Sequence, residues 1–163
     1  MATLPALDNP DNESARLDAL RGSPAAGIPP ATASADPLRP GRGVLIVDDE
    51  PFMRSFVSLA SQQLGYEVFT ASHGAEALEM LKKNPGRIGL VLTDVNMPVM
   101  NGLELVRTLK SQPLAPPVVV MSGNFAPKIL AALKAEGVTR LMDKPFTIDQ
   151  LRTVFLQVLD PAG

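Results

Sequence analysis

The sequence predicts an α/β fold: one five-stranded parallel sheet with helices on both faces. Three features carry that expectation. From Gly43 onward, short apolar runs alternate with amphipathic stretches, the signature of strands joined by crossover helices. Most of the runs are brief and rich in β-branched residues, as suits strands buried on both faces. Proline, glycine and asparagine fall between them, where elements must stop.

Taken in order, the strands are expected at 44–47, 68–69, 88–92, 118–121 and a shorter 141–142. The first helix follows Pro51, a residue suited to a first helical turn, and Phe52, Phe56, Leu59 and Ala60 form its apolar stripe, read as core-facing. Leu78 and Leu81 mark a second helix, stopped by Asn84, Pro85 and Gly86. Leu105, Val106 and Leu109 mark a third ending before Pro113, and Ile129, Leu130 and Leu133 a fourth ending at Gly137. The fifth carries Ile148, Leu151, Phe155 and Leu159, and opens with Thr147 and Gln150 at the spacing of a capping box. Right-handed crossovers wind this alternation into three layers, and in such sheets ligands sit at the carboxyl ends of the strands.

Ahead of this domain, residues 1–40 contain Pro5, Pro10, Pro24, Pro29, Pro30, Pro37 and Pro40 and no aromatic side chain. Such a segment buries too little apolar surface to offset the entropy of ordering it, so a flexible extension is expected at 1–40 and the folded domain at 41–163. A short helix at 13–20, capped by Asn12 and ended by Gly22, is the one candidate for order there, and it is marginal in isolation.

Over its 163 residues the chain has 15 basic and 17 acidic side chains, a formal charge of −2, which gives no strong field toward nucleic acid or an anionic membrane. Without cysteine, disulfides, thiolate metal sites and thiol catalysis are excluded. The start of the chain lacks a secretory pattern and no apolar run is long enough to span a membrane, so a cytoplasmic protein is expected.

Polar groups follow four of the five strands: Asp48 and Asp49 after the first, Asp94 after the third, Ser122 after the fourth and Lys144 after the fifth. Three carboxylates at one edge repel each other unless a cation lies among them. Oxygen donors without nearby His or Cys favour Mg²⁺, with Mn²⁺ as a substitute. Lys144 and Ser122 can then contact the oxygens of a transferring phosphoryl group while a carboxylate acts as nucleophile. Helix capping ahead of Pro51 would account for Asp48 and Asp49, but not for acid, hydroxyl and ammonium groups at three other strand ends.

The segments Val-Leu-Ile-Val-Asp-Asp-Glu-Pro at 44–51, Asp-Val-Asn-Met-Pro-Val-Met-Asn-Gly at 94–102, Val-Val-Met-Ser at 119–122 and Lys-Pro at 144–145 together resemble the response-regulator receiver family of two-component signalling. The resemblance covers about residues 43–160. It implies a flavodoxin-like sheet of order 2-1-3-4-5, with Asp94 as phosphoacceptor. Asp48 and Asp49 would be the metal-site acids, Asp49 a direct ligand, and Asn96 would lend its backbone carbonyl. Ser122 would swing to the phosphoryl oxygen, Lys144 would pair with it, and the Lys144–Pro145 bond would be cis. Gly102 is implied as the turn glycine of the acceptor loop and Gly123 as space for the donor, while Asn96 and Asn124 would tune phosphoryl lifetime. One position departs from the family: Leu141 stands where most receivers carry the Tyr or Phe that rotates on activation, and Phe125 is a candidate substitute.

Taken with the chain's length, the resemblance implies a stand-alone receiver rather than an enzyme with a small-molecule product. It would be phosphorylated by a histidine kinase or histidine phosphotransfer protein and signal by binding a downstream protein. The alternative is a phosphorelay intermediate or phosphate sink with no conformational output. A phosphatase of the haloacid-dehalogenase type would want Asp-x-Asp at the nucleophile, and Asn96 stands there instead. His73 is read as an exposed loop residue, and Met97, Met100 and Met121 as gap-filling rather than metal-binding.

Overall fold

A computed structural model of the chain describes residues 41–161. The expected extension at 1–40, with its candidate helix at 13–20, lies outside the described residues. Five strands alternate with five helices: β1 (Gly43–Val47), α1 (Pro51–Gln63), β2 (Glu67–Ala71), α2 (Gly74–Lys83), β3 (Ile88–Asp94), α3 (Gly102–Lys110), β4 (Val118–Ser122), α4 (Pro127–Ala135), β5 (Leu141–Asp143) and α5 (Ile148–Leu159). All four pairings are parallel and the strand order is β2-β1-β3-β4-β5, as expected.

Alternation along each strand builds the two faces of the sheet. Val44, Ile46, Leu90, Leu92, Val119 and Met121 join Val57 and Ala60 of α1 and Leu151 and Phe155 of α5 in one core. Leu45, Val47 and Val91 meet Ala77 of α2 and Leu105 and Leu109 of α3 on the other face. A third cluster sets Val95 and Val120 against Val106 of α3 and Leu133 of α4. Both faces of the central strands are thus covered, which is why β1, β3 and β4 read as continuous apolar runs.

The apolar stripe read on α1 is corrected at three of its four positions. Ala60 is buried as expected, but Phe52 and Leu59 are 81% and 58% exposed and Phe56 lies at the surface; Val57 and Ser61 are buried beside Ala60 in their place. Two stripes compete on this helix, one residue apart around its circumference. The sheet takes the smaller side chains, which let the helix approach closely, and Ser61 meets its hydroxyl requirement by donating to the Val57 carbonyl at 2.7 Å. The ring centroid of Phe56 lies 6.5 Å from that of Phe146.

Helix ends follow local chemistry. Thr147 and Gln150 complete the expected capping box, and Asn101 and Glu104 form a second one that opens α3. His73 lies in the turn ahead of α2 as expected, but it is half-buried rather than exposed and caps that helix: its Nδ1 accepts from the Glu76 N–H at 3.2 Å.

At the far end of the sheet from the carboxyl edge, Arg42 donates to Asp160 at 2.6 Å and lies 5.4 Å over the Tyr66 ring. The Tyr66 hydroxyl also donates to Asp160, at 3.0 Å, and its ring meets Phe155 edge-on. Burial pushes the Tyr66 hydroxyl above its ordinary pKa, aided by the bond to Asp160 and its charge and opposed by Arg42. Because the native pKa exceeds the unfolded one, this contribution to stability is intact below about pH 10 and is lost as pH rises through the native value. Tyr66 is the sole tyrosine and tryptophan is absent, so tyrosinate absorbance reads it directly. A native midpoint above the ordinary phenol value is expected, falling back toward it in Asp160→Asn.

Candidate functional site

The parallel register sets the strand ends level. Val47 pairs with Thr93, Asp94 with Met121, and Ser122 with Asp143, so the residues leaving β1, β3, β4 and β5 emerge at one edge. The Lys144 N–H donates to the Ser122 carbonyl at 2.8 Å, extending the ladder one residue beyond β5. The Lys144–Pro145 peptide is cis, as the resemblance implied.

Three side chains meet directly. The Lys144 ammonium donates to Asp48 Oδ2 at 2.8 Å and to Asp94 Oδ1 at 2.7 Å. Both acids are buried, Asp48 at 1% and Asp94 at 7% exposure. Their other oxygens are held by the backbone: Asp48 Oδ1 accepts from the Glu50 N–H at 2.9 Å, and Asp94 Oδ2 from the Asn96 N–H at 2.7 Å. Burial lowers the Lys144 pKa, but its bonds to Asp48 and Asp94 and their charges outweigh this and hold it above the ordinary lysine value. The lysine is therefore charged at neutral pH and shared between two buried carboxylates.

The other candidates stand farther from this cluster. Asp49 is exposed, and among the described residues no three acid or histidine side chains are gathered as a ready metal centre. Asn96 is exposed, with its N–H turned to Asp94. Ser122 is 1% exposed, but its hydroxyl serves the loop, donating to the Asn124 carbonyl at 2.9 Å and accepting from the Asn124 N–H at 3.2 Å. Leu141 is half-buried on the third core cluster together with Phe125. Met97 and Met100 pack in the second cluster and Met121 in the first, as gap-fillers should.

The acceptor loop is held at both ends. Gly102 N–H donates to the Val95 carbonyl at 2.9 Å, and a Cβ on Gly102 would lie 2.2 Å from the Asp94 carbonyl oxygen. The Met100 carbonyl accepts from the Gly74 N–H at 3.0 Å, tying the loop to the start of α2. Gly123 is open: a Cβ there would meet nothing within 4 Å.

Two residues escaped sequence reasoning. Arg54 donates to the Asp48 carbonyl at 2.6 Å and so braces the turn that carries both β1 acids; a backbone acceptor leaves no trace in sequence. Val99 has φ of 67°, and the Met100 N–H donates across it to the Pro98 carbonyl at 2.7 Å, closing a γ-turn. A β-branched residue in the left-handed region is strained by about 1–3 kcal/mol. Val99 is 81% exposed, so it buries nothing that offsets this. Glycine would relieve the strain at an entropic cost of about 0.5–1 kcal/mol. Val99→Gly is therefore expected to raise the midpoint of urea unfolding, by about 0.5–1 kcal/mol of stability.

Comparison with known proteins gives a single picture. Residues 44–156 match the response regulator receiver domain family. A chemotaxis protein CheY homolog of Campylobacter jejuni is 37% identical over 120 residues, covering 71% of this chain and 91% of its own length. The sensor histidine kinase RcsC of Salmonella typhi is 36% identical over 109 residues, 67% of this chain; the matched part is 11% of RcsC. Among solved structures, CheY4 of Vibrio cholerae, a chemotaxis response regulator, superposes with a TM-score of 0.62 at 37% identity, covering 72% of this chain and 98% of that one.

Proposed function

The chain belongs to the response regulator receiver family, and from that premise we propose that Asp94 accepts a phosphoryl group from the phosphohistidine of a sensor kinase or phosphotransfer protein. One observation carries the choice of residue. Asp94 is the buried carboxylate at the end of the central strand β3, and it shares its cation, Lys144, with a second acid 2.8 Å from the same ammonium.

In the transfer an Asp94 carboxylate oxygen bonds to phosphorus as the donor's P–N bond breaks, and the electron pair leaves on the imidazole. Receiver domains generally bind Mg²⁺. Here the carboxylates of Asp48, Asp49 and Asp94 and the backbone carbonyl of Asn96 would hold it, an all-oxygen set of the hardness Mg²⁺ requires. When bound, it would supply positive charge to the phosphoryl oxygens. Lys144 is placed to follow the developing charge from carboxylate to phosphoryl oxygen, and Ser122 has one hydroxyl proton to offer once it leaves Asn124. Arg54 keeps the Asp48–Asp49 turn in place throughout.

A protein donor must cover the surface beside Asp94, and α1 begins there. We assign its exposed stripe of Phe52, Phe56 and Leu59 to contact with the donor. Truncating an aromatic anchor of that kind commonly costs about 2 kcal/mol of binding. Phe52→Ala is therefore expected to slow transfer from a phosphorylated kinase by tenfold or more on the scale of that loss, while labelling by acetyl phosphate is unaffected.

Output on this reading is phosphorylation-dependent protein binding. A relay or phosphate-sink role is favoured by a single feature, the aliphatic Leu141 on the third core cluster, which presents no ring to move. Acetyl phosphate labelling with and without a chelator tests the transfer chemistry: label dependent on Mg²⁺ supports it, and label indifferent to the chelator counts against the metal-assisted site. A phosphoryl analogue that alters affinity for the downstream protein supports signalling, whereas transfer and loss of phosphate at unchanged affinity supports the sink.

A further inference from the structure

The formal charge of −2 hides an uneven distribution along the strands. Asp48, Asp94 and Asp143 gather at the carboxyl edge of the sheet, where the acceptor stands. The opposite, amino edge is basic. Lys82 and Lys83 end α2, Arg87 precedes β3, Arg107 and Lys110 lie in the last turn of α3, and Arg140 precedes β5. The acids beside them are already engaged: Glu79 by Lys82 at 3.0 Å, Glu67 by Arg87, and Glu136 by Arg107 at 3.0 Å and Lys110 at 3.6 Å. Lys83 and Arg140 are exposed and have no acid within ion-pairing distance among the described residues. This edge carries a surplus of positive charge that the formal total conceals.

Between these cations stands an uncharged loop at 111–117, joining α3 to β4. The Ala115 N–H donates to the Gln112 carbonyl at 3.4 Å, closing a turn with Pro113 and Leu114 at its corners; proline suits the first of them. The base of the loop is fixed where the Pro117 carbonyl accepts from the Val91 N–H at 3.0 Å. Leu114 is thereby held out at 95% exposure, more than any other large apolar side chain among the described residues. On one side of the turn Leu81, Ile88, Leu114 and Pro116 wall a cleft of about 440 Å³ that Lys82 also lines. On the other, Val106, Leu109, Pro116 and Val138 wall a cleft of about 310 Å³ that Lys110 and Arg140 also line. An apolar tip is thus flanked by cations on both sides.

A nucleic-acid backbone would engage the cations and leave the leucine idle. A bilayer with anionic headgroups engages both. Pro113, Pro116 and Pro117 have no N–H, which lowers the cost of carrying this stretch of backbone into a lipid interface. We propose that the amino edge of the domain docks on an anionic lipid surface, with Leu114 inserted at the boundary of headgroups and acyl chains and Lys82, Lys83, Lys110 and Arg140 at the level of the phosphates. Ile88, on the cleft beside the tip, begins β3 and Asp94 ends it, so the acceptor stands roughly 20 Å away from the lipid and open to a protein donor. Docking of this kind does not depend on which residue is phosphorylated.

Cosedimentation of the full chain with vesicles provides the test, using phosphatidylglycerol and phosphatidylcholine in equal parts beside phosphatidylcholine alone. The anionic vesicles should carry the chain down at low salt and release it as salt is raised, and the neutral ones should leave it in solution. Leu114→Ser should lower the partition coefficient by about tenfold, and Lys83→Gln and Arg140→Gln by about fivefold each. All three positions are exposed, so these variants should keep the wild-type urea midpoint. Because the chain lacks cysteine, Leu114→Cys accepts a single nitrobenzoxadiazole label, whose emission should shift to the blue on anionic vesicles. The same label at Lys128→Cys, in the first turn of α4, should not shift. Failure to sediment with anionic vesicles overturns the proposal, as does equal sedimentation with neutral ones. Binding that Leu114→Ser leaves unchanged also overturns it, and reduces this edge to a patch for acidic macromolecules. Failure of acetyl phosphate labelling would bear on the acceptor assignment alone.

Discussion

Lys144→Met should destabilise the metal-free protein by about 3 kcal/mol, because it leaves two buried carboxylates facing each other with no cation between them. The native lysine holds Asp48 Oδ2 at 2.8 Å and Asp94 Oδ1 at 2.7 Å, and neither acid has a water-exposed alternative at 1% and 7% exposure. Methionine keeps the unbranched stem and removes only the charge, so lost packing contributes little. The sign of the metal response is the sharper consequence. An ammonium among the acids opposes the approach of Mg²⁺, so removing it should tighten Mg²⁺ binding and let Mg²⁺ restore more stability to the variant than it adds to the wild type. Phosphoryl labelling by acetyl phosphate should nevertheless fall by about a hundredfold, the scale on which one preorganised charge donor acts. Urea unfolding with and without Mg²⁺, beside the labelling rate, separates the three effects.

Gly102→Ala should cost about 3 kcal/mol or more and slow labelling as well. The added Cβ would lie 2.2 Å from the Asp94 carbonyl oxygen and 3.1 Å from the Val95 Cα, and both obstacles are backbone. No side-chain rotation relieves such a contact; either α3 or the end of β3 must move. The former strains the bond from Gly102 N–H to the Val95 carbonyl, and the latter displaces the acceptor itself. Alanine's advantage over glycine within a helix, about 1 kcal/mol, is too small to compensate. Gly123→Ala is the control: nothing lies within 4 Å of its added Cβ, so its stability should stay within about 0.5 kcal/mol of wild type. Urea unfolding of the two variants side by side reads the difference.

The sheet was legible because its central strands β1, β3 and β4 are buried on both faces and so written in near-continuous apolar residues; each observed strand contains the run that announced it. Strand ends then indicated Asp48, Asp94 and Lys144, and these three do meet. The face of α1 was legible only at Ala60, since aromatic bulk made Phe52, Phe56 and Leu59 look like core beside it when close packing on the sheet favours Val57 and Ser61. Contacts to backbone atoms were likewise hidden: nothing in the sequence says that Arg54 reaches the Asp48 carbonyl or that the Ser122 hydroxyl is occupied by Asn124. Backbone strain at Val99 was hidden for a different reason, because a valine there contradicts the local preference that sequence reading relies on. The places where local preference failed, the α1 stripe and Val99, lie on the segments that follow the strand ends carrying Asp48 and Asp94.

Asp94 as phosphoacceptor is tested most directly by incubating wild type and Asp94→Asn with Mg²⁺ and acetyl phosphate, then locating the label by mass spectrometry after borohydride reduction of the acyl phosphate. The wild type should gain one phosphoryl group, traced to Asp94, and the variant none. A wild type that gains no label, or an Asp94→Asn protein that gains it as readily, would contradict the assignment.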